Sequence, residues 1–171
     1  MKKINYFIPL YFIALFISQF FSFFMNSIYR INNEIIFNFL GFGLCMNHDY
    51  SAFLGKSISF VDYNNIYIIA SLFIFLCSVI SINFLSTDKI GDAYKPISFG
   101  LAFCSIGLLS NSLNLYDYGY VINYLFIKVG NHYIATNISD ILMYIGGFIL
   151  LGALINLLIK HKKRPHKIVS I

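Results

Sequence analysis

Residues 139–164 read SDILMYIGGFILLGALINLLIKHKKR. Between Asp140 and Lys160 there is no charged side chain. Residues 141–159 as a helix, at about 1.5 Å per residue, span roughly the 30 Å of a bilayer's hydrocarbon core. A basic cluster follows at once: Lys160, Lys162, Lys163, Arg164 and Lys167. An uncharged apolar run closed by lysines and arginine is a transmembrane helix with its basic end in the cytoplasm.

Three similar runs precede it, at about residues 4–25, 66–85 and 97–115. Of the 171 residues 58% are apolar and 11% charged, against about a quarter charged in a soluble domain. Lys2 and Lys3 before the first run imitate a signal peptide. The run is too long for an h-region and no small-x-small cleavage site follows, so it reads as an uncleaved span. Pro96 falls near the first turn of the third span, where proline is tolerated. The expected fold is an all-α membrane protein of four transmembrane helices, with a long, partly β first outer loop near the membrane surface. Residues 1–171 form a single integral membrane domain in this reading.

The net charge of +5 raises nucleic acid as a partner, and its placement argues against one. Nine Lys and Arg residues fall at the N-terminus, in the loop between spans two and three, and in the tail of residues 160–171. Three, Arg30, Lys56 and Lys128, fall in the other two loops. Both termini are therefore expected in the cytoplasm, with the loops of residues 26–65 and 116–139 outside. Cys45, Cys77 and Cys104 have no CxxC or Cys/His ligand spacing. They read as small apolar side chains, with no metal site and no disulfide framework. No nucleotide or other cofactor motif is present.

The first outer loop contains EIIFNFLGFGL and SISFVDY. The alternation in SISFV suggests a strand at the bilayer surface. The second outer loop carries GYVINY, residues 119–124, and TNISD, residues 136–140. Span three ends in GLLSNSLNLYDYG, with Asn111 and Asn114 three apart on one helix face. Asp140 opens span four, three residues after Asn137. If spans three and four are neighbours, these groups converge at the outer surface, where polar side chains are costly and tend to be functional. The plainer alternative is also open. Asn137 or Ser139 caps span four, Asp140 favours the helix N-terminus, and the asparagines join helices.

The motifs themselves resemble those of the lipoprotein signal peptidases (signal peptidase II). That family ends its third span in Gly-Asn-x-x-Asp-Arg, continues with Gly-x-Val-x-Asp-Phe, and opens its fourth span with Asn-x-Ala-Asp. Here Ser110-Asn111-Ser112-Leu113-Asn114-Leu115, Gly119-Tyr120-Val121-Ile122-Asn123-Tyr124 and Asn137-Ile138-Ser139-Asp140 take those positions in register. The family's Asp-Gln-x-x-Lys of span one is matched by Ser18-Gln19-Phe20-Phe21-Ser22, which keeps the glutamine. Its Asn-x-Gly-x-Ala-Phe is matched loosely by Asn47 or His48 leading to Ala52-Phe53.

The resemblance implies a membrane aspartic endopeptidase, without a cofactor, in a bacterial cytoplasmic (inner) membrane. Its site lies on the outer face. It removes signal peptides from diacylglyceryl-modified precursors, with membrane lipids as its other partners, and the chain is expected as a monomer. In the family two aspartates share a proton and activate a water. This chain matches the second as Asp140 and has Asn123 in the seat of the first. Asn111, Asn114 and Asn137 are the supporting polar shell. An amide cannot carry the shared proton. Asp117 and Asp49 are the carboxylates that could substitute, with His48 and His132 as outer-loop bases. The same layout suits a non-catalytic relative that binds membrane or lipidated peptides without cutting them.

Overall fold

The computed structural model describes residues 4–29, 35–36, 40–47, 60–84 and 91–162. The four apolar runs are four long helices: α1 (Ile4–Tyr29), α2 (Phe60–Phe84), α3 (Gly91–Tyr118) and α4 (Ile138–Lys162). Each contains a segment long and apolar enough to cross a membrane. The helices overrun the apolar runs at one or both ends, because hydrogen bonding continues past the hydrocarbon boundary that hydropathy marks. Pro96 consequently lies inside α3 and Pro9 inside α1, where each removes one intrahelical bond near the start.

The helix α3 is the central one. Half of its spanning segment is buried, against 11% for α2 and α4. Its contact with α4 is nearly bare backbone. A Cβ on Gly107 would lie 2.4 Å from the Ser139 carbonyl oxygen, and one on Gly146 would lie 2.7 Å from the Gly100 carbonyl oxygen. Small residues let membrane helices approach this closely. Of three glycines in span four that could serve this purpose, Gly146 does. Gly147 and Gly152 face open space.

The contact of α1 with the bundle is made by hydroxyls. Ser18 Oγ lies 2.9 Å from Ser110 Oγ and 2.7 Å from Ser139 Oγ, and the last two are 2.7 Å apart. Three helices thus bring one serine each to a single buried point. Gln19 Nε2 adds a bond to the Ser110 carbonyl at 2.7 Å. Further down α1, Tyr11 OH meets Ser105 Oγ at 2.7 Å, and Ser105 donates to the Ser71 carbonyl of α2.

Outside the helices lies a four-stranded antiparallel sheet in the order β1 (Ile35–Ile36), β2 (Leu40–Asn47), β3 (Val121–Val129), β4 (His132–Thr136). The first outer loop was expected to be partly β, and β1 and β2 lie in it. Of the strand suggested at SISFV, Phe60 and Val61 instead begin α2, and residues 57–59 lie outside the described residues. The loop that carries GYVINY and TNISD, to which the sequence reading assigns no strand, is a β-hairpin. Gly130, at φ +63, opens its two-residue turn with Asn131, as a type II′ turn requires.

Candidate functional site

The helix α3 ends at Gly119, whose φ of +77 is open to glycine and strained for other residues. Its N–H bonds the Leu115 carbonyl at 3.0 Å. The chain then turns directly into β3, so the glycine of GYVINY is a helix stop. The first four residues of β3, Val121, Ile122, Asn123 and Tyr124, are all buried. Asn123 stands opposite Cys45 of β2, beside an irregularity in the β2 register between Phe42 and Cys45. Bulges of this kind re-aim side chains and concentrate near active sites.

At the other end of the hairpin, Asn137 caps α4. Its Oδ1 accepts the Asp140 N–H at 2.8 Å, and its carbonyl accepts the Ile141 N–H at 3.1 Å. A further free donor of the first turn, the Ile138 N–H, goes to Tyr124 OH at 3.2 Å. Burial, with a smaller contribution from the nearby Asp140 charge, pushes the Tyr124 phenol up to about 12. The capping explanation of TNISD is therefore correct, and Asn137 is the cap.

The same side chain also organises the polar cluster. Asn137 Nδ2 donates to Asn123 Oδ1 at 2.9 Å, to Asn111 Oδ1 at 3.1 Å and to the Ile122 carbonyl at 3.1 Å. Asn111 Nδ2 in turn donates to Asp140 Oδ1 at 2.7 Å. The second carboxylate oxygen accepts a bond from Thr136 Oγ1 at 3.3 Å. Asn123 and Asp140 are thus linked through Asn137 and Asn111, with one amide touching both positions. Capping and clustering are one arrangement.

The other sequence-predicted residues part company here. Asn114 does not join Asp140. It is fully buried and donates to Ser22 Oγ of α1 at 3.1 Å, while its Oδ1 has no hydrogen-bond partner. A 3.6-residue period rotates Asn114 about 60° from Asn111 around α3, which is enough to aim it at a different helix. Asp117 is exposed on the last turn of α3, and His132 is exposed at the hairpin tip. Asp49 and His48 lie outside the described residues. Among the described residues no three His, Cys, Asp or Glu side chains are grouped as metal ligands.

Thr136, Tyr124, Ser18, Ser110 and Ser139 were not singled out for these contacts from the sequence. Thr136 and Tyr124 are found by the hairpin. Its signal, Gly130-Asn131 between two β-rich runs, is present in the sequence. The serine triangle has no such signal, because three single serines on three helices carry no spacing relation.

No protein-family model and no curated protein matches the chain. Its backbone does match solved structures. The chain shares its fold with bacterial membrane enzymes. One, solved by the in meso method at 2.3 Å resolution, superposes with a TM-score of 0.66 at 18% identity, covering 92% of each chain. A second, at 1.9 Å resolution, gives 0.62 at 18% identity over 86% of this chain and 90% of that one.

Proposed function

We propose that the chain is a membrane aspartic endopeptidase of the lipoprotein signal peptidase type, impaired because it works with one carboxylate. The observation that supports this is the link between Asn123 and Asp140 through Asn137, at one end of a four-helix bundle with a membrane-enzyme fold. The substrate in this reading is a lipid-modified precursor whose diacylglyceryl group stays in the membrane beside the site. Both termini are in the cytoplasm and the site faces outward, as the basic residues suggest.

Asp140 acts as the general base on a water. Each of its oxygens already accepts one hydrogen bond, and each keeps a lone-pair direction for the water. Asn123 takes over half of its lost partner's work. Its Oδ1 is held by Asn137, which leaves the Nδ2 protons to donate to the scissile carbonyl. A donor aimed at a developing oxyanion is worth about 10²–10³-fold. An amide cannot then hand a proton to the leaving amine, so the proton that Asp140 took from the water has to be passed on to it. The lost second acid is worth roughly 10²–10⁴-fold, and it defines the impairment.

The same observation favours a second reading, in which Asn123 and Asp140 bind a lipidated peptide that is never cut. One experiment separates the two. Purified protein is assayed on a diacylglyceryl-modified precursor, alongside Asn123→Asp and Asp140→Asn. The expected result is slow cleavage by the natural chain, a gain of roughly 10²–10⁴-fold in Asn123→Asp, and none in Asp140→Asn. Saturable binding with no cleavage by either active-site form establishes the second reading. Neither binding nor cleavage removes both.

A further inference from the structure

The facing stripes of α1 and α3 do not close completely. Phe7, Leu10, Tyr11 and Ala14 on α1 and Phe99, Ala102, Phe103 and Ile106 on α3 line a groove of about 230 Å³. On each helix these are positions i, i+3, i+4 and i+7, one continuous face. The T-shaped pair Phe7–Phe99, with ring centres 5.7 Å apart, stands at one end. The bonds of Ser18 and Gln19 to Ser110 close the other. Between them the two small residues, Ala14 and Ala102, leave the space. Tyr11 brings a hydroxyl to the wall, and it is committed to Ser105.

The groove is far from the candidate site. From Ala102 to Asn111 along α3 is about 14 Å at 1.5 Å per residue, so the groove lies toward the opposite leaflet. Both walls belong to membrane-crossing segments, and the rim runs without a break into lipid-facing surface through Leu10, 58% exposed, and Phe99, 46% exposed. The size selects among possible occupants. A volume of about 230 Å³ exceeds the roughly 150 Å³ of an apolar cavity that takes up benzene, the scale of a stretch of methylenes. A transmembrane helix, about 10 Å across with its side chains, does not fit.

We propose that this groove binds one acyl chain of a phospholipid from the leaflet opposite the candidate site, and that the chain completes the packing of α1 against α3. Nearly all of the wall the chain meets is apolar, and a groove left unfilled destabilises in proportion to its volume. The inference is independent of the peptidase reading.

The test uses the purified full-length chain and a palmitoyl-oleoyl phospholipid as probe. Native mass spectrometry after detergent exchange is expected to find one phospholipid retained per chain. Ala14→Leu with Ala102→Leu, which fills the groove, should lower that occupancy at least tenfold, while Gly147→Leu, a change into open space, leaves it intact. A second readout does not depend on the filled variant folding. The chain has no tryptophan, so Phe103→Trp gives a single reporter. Its fluorescence should be quenched by an acyl-brominated phospholipid that survives detergent exchange, and excess unbrominated lipid should restore it. Equal lipid retention in natural and filled chains, or no quenching of the Phe103→Trp protein after exchange, overturns the proposal. A lipid-free dimer would overturn it too and assign the groove to a second copy.

Discussion

The two contacts that α3 makes with α4 and with α1 are built on opposite principles. Against α4 it is mainly glycine on carbonyl, with Gly107 at Ser139 and Gly100 at Gly146, closed at one end by the pair Ser110–Ser139. Against α1 it is hydroxyl on hydroxyl over an incompletely filled groove. Close backbone contact has one solution and tolerates no added atom. Side-chain hydrogen bonds reach across a gap, and their members can re-pair. Asn111 and Asp140 sit on the first kind of contact, one residue beyond the serine pair Ser110–Ser139. The rigid seam holds the candidate site, and the adaptable one borders the groove.

Changes to the two seams should therefore differ in severity. Gly107→Leu should do the most damage, since its Cβ alone collides with the Ser139 carbonyl and Met143. Overpacking of this kind costs about 3 kcal/mol or more, which for this chain length lowers the melting temperature by roughly 10 °C. Thermal unfolding in detergent checks it. A Gly107→Leu protein as stable as the natural one would break the distinction.

Ser18→Ala and Ser139→Ala come next. Interhelical hydrogen bonds in membranes average about 0.6 kcal/mol and reach about 1.7. Each variant is expected to fold, with a melting temperature lower by a few degrees at most. Loss of fold in Ser18→Ala would show that the hydroxyl seam is the rigid one.

Tyr124 has no effect of this kind at neutral pH and tests the junction above both seams. Its phenol is raised from 10.0 to about 12, mainly by burial. The folded chain then binds that proton more tightly than the unfolded chain does. Stability from this group is complete below pH 10 and drains away as the pH climbs through 12. The absorbance difference between the natural chain and Tyr124→Phe should show one phenol ionising at about pH 12. Tyr124→Phe should lose less stability over the same window.

The four spans were legible because twenty apolar residues have few other fates in a chain this poor in charge. The cluster of Asn111, Asn123, Asn137 and Asp140 was legible too, through motif register. Asn114 was not. Its partner Ser22 lies 92 residues away, and only the rotation of α3 decides between that serine and Asp140. The hairpin went unread because its strands are apolar on both faces near α3. Val121 to Tyr124 are buried without alternation, so the period of two that betrays a strand is lost where the site begins.

Counting protons at Asn137 shows what this cluster lacks. An amide nitrogen has two hydrogens, and here three oxygens lie within reach of them. A fourth acceptor, Asn114 Oδ1, is unmatched a turn away. This end of the bundle therefore presents unmatched acceptors beside the Asn123 Nδ2 donor. A molecule that settles there comfortably must bring both N–H and C=O groups of its own, which an extended peptide does at every residue.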